Sequence, residues 1–288
     1  MGLTLVPTVG AGSDIERVRD AAVDGFVIWT TTDDDPILDA VAATGLHPAI
    51  QSGPARPGLP TVGIDDRAAA RAIGRVVFAG ARRPAVPSFP TDRRRQRRLA
   101  SGPPPIDVTF PVTRARWRGF LDAWSDLGGA PQRLRVAVCS HNSATCGEDL
   151  TGELLDSRPR PDAIAAMSDE LALGVLADAR RAEMAVPADL AVGGWDDTGT
   201  ASRADLTTVA QSLRHQGRVG AEAVEDQPEA RRLPATHRRP QPGPPAAAPI
   251  VFSASLTTAT EPWRSRSSDT GRMPTGADPL GIVLSDTR

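Results

Sequence analysis

Polar side chains follow two apolar runs of strand length. Ser168 and Asp169 come directly after residues 163–167, and Asp196 comes directly after residues 190–195. Hydroxyl and carboxylate groups at such positions can hydrogen-bond the hydroxyls of a small polar ligand. The segment between the two runs has helical apolar spacing, so the pattern predicts a right-handed βαβ unit with its ligand crevice at the carboxyl edge. Both polar clusters are expected to face that crevice.

The same side chains also have a structural interpretation, which the residues alone leave open. Ser168 or Asp169 can accept the free N–H groups of the first turn of the following helix. Asp196 could equally serve as a loop cap, and Asp197 is expected to cap the segment that follows it.

Strands and helices alternate along most of the chain, which is typical of an α/β protein with parallel sheets. The apolar runs do not alternate with polar residues, as expected of parallel strands covered on both faces. Strands are predicted at 3–6, 24–29, 47–51, 61–66, 135–139, 163–167, 190–195 and 206–211, and helices at 14–23, 36–44, 67–79, 114–124 and 212–224.

Several of these segments resemble the effector-binding domain of LacI/GalR-family transcriptional regulators. The likeness is strongest over residues 161–217, and it extends to VDGFVI at 23–28, to the R-x-x-G-F pattern of 116–120 and to the L-T-T-V-x-Q pattern of 206–211. The resemblance implies a two-lobed, periplasmic-binding-protein-like (type I) fold with parallel sheets. It places an N-terminal lobe in 1–84 with 211–236 and a C-terminal lobe in 85–210, followed by a disordered tail over 237–288 that is rich in proline and glycine.

The resemblance also implies which residues contact an effector, expected to be a sugar or related polar metabolite. In relatives, the arginine three residues before the helix glycine and the carboxylate that corresponds to Asp196, at the end of strand 190–195, reach the ligand. Relatives often carry a sugar-stacking aromatic where this chain has Asn142, so Trp195 or Phe89 would have to substitute. The implied ligand-binding residues are Asp196, Arg116, Ser168, Gln211, Asn142 and Trp195.

Family members begin with a helix-turn-helix headpiece, then one strand and one helix before the position of Leu3. The given sequence lacks these segments, so we expect an N-terminally truncated fold that binds DNA only if a headpiece is supplied. Losing the first strand is expected to expose sheet edges to unwanted pairing. A homodimer is expected from the resemblance alone.

Two further features depart from the family pattern. Pro84 and Pro87 fall within a predicted central strand, which they are expected to shorten or damage because proline cannot donate to a ladder. The arginine-rich run 92–98 could bind phosphates or nucleic acid. It has no interleaved aromatic residues, however, and it lies beside a proline-rich loop, so a solvated loop is favoured.

Composition excludes several classes of protein. The net charge of −2 and the pI near 6.1 do not favour nucleic acid or an anionic membrane. We find no signal peptide and no apolar run of membrane-spanning length, so a cytoplasmic protein is expected. Cys139 and Cys146 are expected to be reduced thiols, and the scattered histidines predict no metal site. No cofactor is predicted.

The hypothesis favoured by the sequence is a non-enzymatic sugar-sensing domain of a LacI-type regulator. The sugar-binding protein of a transporter shares this fold, although it would require export. An enzyme is disfavoured, because neither a nucleophile elbow nor a phosphate-binding glycine loop occurs in the required context. A non-functional truncated gene product is the remaining alternative.

Overall fold

The computed structural model describes residues 6, 13–157, 159–225, 250–252 and 255–257. The helices in these ranges are α1 (Ser13–Arg19), α2 (Pro36–Ala43), α3 (Asp66–Val77), α4 (Pro111–Asp126), α5 (Ala144–Asp156), α6 (Asp169–Arg181), α7 (Gly199–Arg203) and α8 (Leu213–Glu225), with a 3-10 turn at Pro131–Arg133. The strands are β1 (Gly25–Trp29), β2 (His47–Gln51), β3 (Thr61–Ile64), β4 (Pro84–Ser88), β5 (Arg98–Ser101), β6 (Arg135–Val138), β7 (Ala163–Ala165), β8 (Ala191–Trp195), β9 (Thr207–Ala210), β10 (Ile250–Phe252) and β11 (Ser255–Thr257).

The described strands form two sheets. The first has the order β1-β2-β3-β10 and is parallel throughout. The second has the order β11-β9-β8-β7-β4-β6-β5, and its only antiparallel pairings among the described strands are those of the edge strands β5 and β11. The predicted α/β class with parallel sheets is therefore confirmed.

The prolines of β4 do not damage that strand, contrary to the sequence prediction. β4 is buried along its whole length and pairs in parallel with β6 on one side and β7 on the other. Pro84 is the first residue of the strand, and Pro87 lies beyond the β7 register, which ends at the pair Ala85 and Ile164. A missing donor costs little at these two positions. The carbonyl oxygen of Pro87 still accepts a hydrogen bond from the Met167 N–H at 3.0 Å.

Helix α3 packs on the second sheet, although it directly follows a strand of the first. Its buried residues Ala70, Ile73 and Val77 share a hydrophobic core with Trp117 and Phe120 of α4. This close packing requires Gly119 on α4, because a Cβ atom there would lie 2.3 Å from the carbonyl oxygen of Arg67. We therefore propose that α3 belongs to the C-terminal lobe, although the predicted lobe boundary falls after it, at residue 84.

Helix α8 returns the chain to the first sheet, where it packs against β1, β2 and β3. Helix α6 begins with the side-chain cap that the sequence predicts, the Ser168 hydroxyl, whereas the longest described helix, α4, has no side-chain cap. This arrangement leaves the carboxyl ends of β3, β7 and β8 free to present side chains at neighbouring edges of the two sheets.

Two regions differ from their predicted loop or disordered state. The arginine run is not entirely loop, because Arg98 begins the edge strand β5 and Arg97 forms an ion pair with Glu153 at 2.5 Å. Within the predicted disordered tail, β10 and β11 pair with β3 and β9. Composition averaged over the tail hides the apolar, β-prone run 250–252. The other residues of 237–288, together with predicted strand residues 3–5, lie outside the described ranges.

Candidate functional site

Arg116 occupies the centre of a polar cluster at the carboxyl ends of the strands. Its helix, α4, buries the side chain, leaving only 6% of it exposed. Nε donates to Oδ1 of Asp66 at 2.7 Å, and Nη1 donates to the carbonyl oxygen of Met167 at 2.5 Å. The guanidinium carbon also lies 3.8 Å from the ring centroid of Trp195 and 5.3 Å from that of Phe89. Arg116 thus joins residues that follow β3, β4 and β7 to the last residue of β8.

Asp66 was not among the predicted ligand-binding residues, yet it is the carboxylate that pairs with Arg116. It begins α3 one residue after Asp65, which caps that helix. Burial raises the pKa of Asp66, while the positive charge of Arg116 lowers it. The predicted strand 61–66 ends at Asp66, so this position could have marked it as a polar group at the same edge, although not as the partner of Arg116.

Asp196 directly follows β8 and has a strained backbone. Its φ is 114° and that of Asp197 is 53°, values that are uncommon for residues other than glycine. The side chain of Gln211, just after β9, donates to Oδ1 of Asp196 at 2.5 Å, and Gln216 donates in turn to Gln211 at 3.2 Å. A backbone of this kind, held in place by neighbours, is common at binding sites.

The carboxyl group of Asp196 has a strongly raised pKa. Burial is the main cause and raises it to about 6, with smaller contributions of the same sign from Asp169 and Asp66. The charge of Arg116 and the hydrogen bond from Gln211 lower the pKa. A desolvated carboxylate of this kind is ready to accept hydrogen bonds from ligand hydroxyls.

Ser168 and Asn142 are brought together across the ends of β7 and β6. The Ser168 hydroxyl donates to Oδ1 of Asn142 at 2.6 Å and accepts from the N–H of Leu171 at 3.2 Å, so it also caps α6. Ser168 is completely buried, whereas Asn142 is exposed. Both interpretations of Ser168 made from the sequence are thus compatible with its contacts.

Asp169 is a structural residue in this arrangement. Its completely buried carboxylate accepts from the hydroxyl of Thr208 at 2.6 Å and from the N–H of Thr198 at 2.8 Å. The two bonds tie the start of α6 to β9 and to the first residues of α7. Gly194 allows this approach, because a Cβ there would lie 2.4 Å from Oδ1 of Asp169.

Trp195 is completely buried, so in this structure its ring contacts Arg116 rather than an open crevice. Its indole Nε1 has no hydrogen-bond partner among the described residues. Phe89 is partly buried against the same guanidinium. The predicted replacement of a sugar-stacking aromatic by Trp195 therefore finds no exposed ring face here, because the cation covers it.

A second ion pair connects the loop after β1 to the start of α4. Nη1 of Arg114 donates to the Asp33 carboxylate at 2.7 Å, and the N–H of Asp33 donates to the carbonyl oxygen of Thr109 at 2.9 Å. These contacts hold the edge of the first sheet against α4, whereas the Arg116–Asp66 pair joins α4 to α3 on the second sheet. An open concavity of about 660 Å³ lies elsewhere, at the opposite edge of the second sheet.

The described residues include neither a metal-binding cluster nor a membrane-spanning helix. Within them, no cluster of three or more histidine, cysteine or acidic side chains is arranged to hold a metal ion. No described helix combines the length and apolar character needed to cross a membrane.

The fold and the site together define a class of α/β binding domain with two parallel sheets and a polar cluster where their carboxyl edges meet. A sequence profile described as "Periplasmic binding protein-like domain" matches residues 92–245. The chain therefore belongs to this family of periplasmic binding protein-like domains.

Relatives and solved structures agree on this assignment. The HTH-type transcriptional regulator IpsA of Corynebacterium glutamicum is 32% identical over 229 residues, which cover 77% of this chain and 64% of the relative. The chain thus spans less than two thirds of that curated relative's length. The crystal structure of a LacI-family regulator from C. glutamicum is similar with a TM-score of 0.71 and 27% identity, covering 88% of this chain and 73% of the other.

A complex of the transcriptional regulator CelR with cellobiose shares the fold. Its TM-score is 0.65 at 21% identity, and the match covers 86% of this chain and 70% of the other. At this identity the likeness concerns the fold alone.

Proposed function

We propose that this chain is the effector-binding domain of a LacI-type transcriptional regulator and that it binds a small hydroxyl-rich molecule, a sugar or a close relative, without catalysing a reaction. The observation that carries the proposal is the convergence of Arg116, Asp66 and Asp196 at the meeting edges of the two sheets. Paired charges at a strand end, partly withdrawn from water, suit a ligand with several hydroxyl groups.

Each residue of the cluster has a distinct proposed role. Asp196 accepts hydrogen bonds from ligand hydroxyls, and Gln211 orients its carboxylate. Arg116 donates to the ligand, while Trp195 acts through Arg116 as a positioning residue by stacking on the guanidinium. Asn142 is exposed at the end of β6 and supplies a further amide to the ligand, fixed by Ser168.

The contacts between the two edges also suggest how binding is transmitted. The Arg114–Asp33 pair joins α4, which packs on the second sheet, to the loop after β1 of the first sheet, and Arg116 lies two residues further along the same helix. A ligand that competes for the charge of Arg116 would therefore change how the two edges are held together. In a whole regulator, we propose that this change reaches DNA-binding headpieces through a homodimer. Such a protein would act in the cytoplasm, where its operator is.

The relatives support the regulatory role, and the CelR structure, which shares this fold, is a complex with cellobiose. A hydroxyl-rich effector for this chain is consistent with that complex and with the polar cluster. The identity of the sugar is not implied by either.

Thermal melting of the purified chain with and without candidate effectors tests the proposal. A ligand that binds only the native state must raise the melting temperature, by an amount that grows with its concentration. We expect at least one neutral mono- or disaccharide at millimolar concentration to raise the midpoint. If a broad panel of neutral sugars leaves a cooperative melt unchanged while nucleosides or amino acids raise it, the sugar class is wrong.

A further inference from the structure

A second concave surface lies at the amino edge of the second sheet, on the side opposite the effector cluster. It has a volume of about 660 Å³ and is open to solvent. Volumes of this size are common in small-molecule sites. Its walls come from the residues preceding β4, from β5, from the 3-10 turn at Pro131–Arg133 and from the start of β6; they are Arg82, Arg83, Leu99, Ala100, Ser101, Gln132, Arg133, Arg135 and Pro159.

The side chains that line this surface carry a net positive charge. Four of the lining residues are arginines and none is acidic. Asp162 compensates one of them, since it forms an ion pair with Arg83 at 3.2 Å. Arg82 and Arg133 are exposed, and neither side chain forms an ion pair within the part of the chain that the structure describes. At least three positive charges therefore face one concavity without a counter-charge from the described chain.

Arg135 supplies a fixed positive charge in the wall. Its Nη1 donates to the hydroxyl of Ser157 at 2.6 Å, whereas Nη2 is buried without a hydrogen-bond partner among the described residues. Burial lowers its pKa, and the nearby charge of Arg83 lowers it further. A partly desolvated guanidinium without a carboxylate partner raises the local positive potential.

We propose that this concavity binds a small organic phosphate carrying two or more negative charges. Arg82 and Arg133 provide exposed guanidinium forks of the kind that bind phosphate oxygens in pairs. Leu99, which is 59% exposed, and Pro159 offer an apolar wall for the carbon part of such a ligand. The proposal is independent of the effector cluster, from which the second sheet separates it.

Binding of pyrophosphate, measured by isothermal titration calorimetry at constant ionic strength, tests the proposal. The informative variant is R82A/R133A, which removes two exposed side chains and leaves the Arg82 N–H free to bond Asp162. The matched control is R93A/R94A, which removes two exposed arginines from the neighbouring loop and changes the net charge equally.

We expect pyrophosphate to bind the wild type more tightly than sulfate, and R82A/R133A to weaken it about tenfold or more while R93A/R94A changes it less than about twofold. Equal weakening in both variants would mean general charge attraction and would overturn the site. If the wild type does not bind pyrophosphate but binds a short DNA duplex, and R82A/R133A no longer binds that duplex, the concavity is a nucleic-acid surface and the proposal is overturned. Sugar binding at the effector cluster is measured separately and is expected to persist in both variants.

Discussion

The guanidinium carbon of Arg116 lies over the ring of Trp195, 3.8 Å from the ring centroid. Trp195 ends β8 and immediately precedes Asp196, while Arg116 also binds Asp66 at the start of α3. Arg116 of α4 therefore contacts one carboxylate, that of Asp66, and the residue next to another, Asp196. The stacking explains why a buried arginine is tolerated here, since the ring and Asp66 replace part of its hydration.

The Arg116–Asp66 pair is expected to show strong coupling in a double-mutant cycle. R116M leaves the buried Asp66 carboxylate without its partner and should cost about 3–5 kcal/mol of unfolding free energy. The double variant R116M/D66N removes the unpaired charge, so it should recover more than half of that loss. Urea unfolding at pH 7 measures both values, and a double variant no more stable than R116M would show that the pair is not coupled.

The pKa of Asp196 predicts a pH-dependent difference between the wild type and D196N. The folded pKa of about 6 exceeds the ordinary value of 3.8, so the folded state binds the proton more tightly than the unfolded state. This contribution to stability is fully present below about pH 4 and is lost as the pH rises through 6. Relative to D196N, the wild type should gain roughly 2.5 kcal/mol between pH 7 and pH 4, since each pKa unit corresponds to about 1.4 kcal/mol and the unfolded carboxyl is already partly protonated at pH 4. Urea midpoints measured at several pH values test this, and parallel curves would contradict it.

Asp169 is expected to affect stability far more than ligand binding. D169A removes the acceptor of the Thr208 hydroxyl and the Thr198 N–H in a completely buried position, which should destabilise the protein by about 2–4 kcal/mol. T208V removes one of these bonds and should cost about 1–2 kcal/mol. Chemical denaturation gives both values. A D169A variant of unchanged stability that no longer binds sugar would assign Asp169 to the ligand instead.

The two helical glycines Gly119 and Gly217 are expected to respond in opposite ways to alanine. At Gly119, a Cβ would collide with the Arg67 carbonyl oxygen and with Ala70, so G119A should cost about 2 kcal/mol or more by separating α3 from α4. At Gly217 on α8, no atom lies within 4 Å of the added Cβ, so G217A should stabilise the helix by about 0.5–1 kcal/mol. Thermal melts of the two variants compare these signs directly, and a neutral G119A would contradict the close packing.

Much of the fold could be predicted from local patterns. The helices near 36–44, 67–79 and 212–224 are observed within two residues of their predicted bounds at each end, because apolar spacing and caps are local signals. β4 could not be predicted correctly, because the tolerance of Pro87 depends on where the neighbouring ladder ends. The strands β10 and β11 depend likewise on partners far away in the sequence.

The candidate site was predictable only in part. Strand-end position identifies Asp196, Ser168 and Gln211 as polar groups near one edge, because topology brings those ends together. It does not reveal that Asp66 forms an ion pair with Arg116, or that the guanidinium of Arg116 lies over the ring of Trp195. Both facts are properties of side-chain packing between distant elements, and a single sequence contains no local signal for them.

The most direct test of the account compares D196N with D197N for binding of a sugar that raises the wild-type melting temperature. Asparagine tolerates the positive φ of both positions, so the two variants should fold alike. The account predicts that D196N, which loses the buried carboxylate acceptor, weakens binding about tenfold or more by calorimetry, whereas D197N, whose side chain is exposed, changes it less than about twofold. Equal affinities for wild type and D196N, or a loss confined to D197N, would contradict the placement of the effector at Asp196.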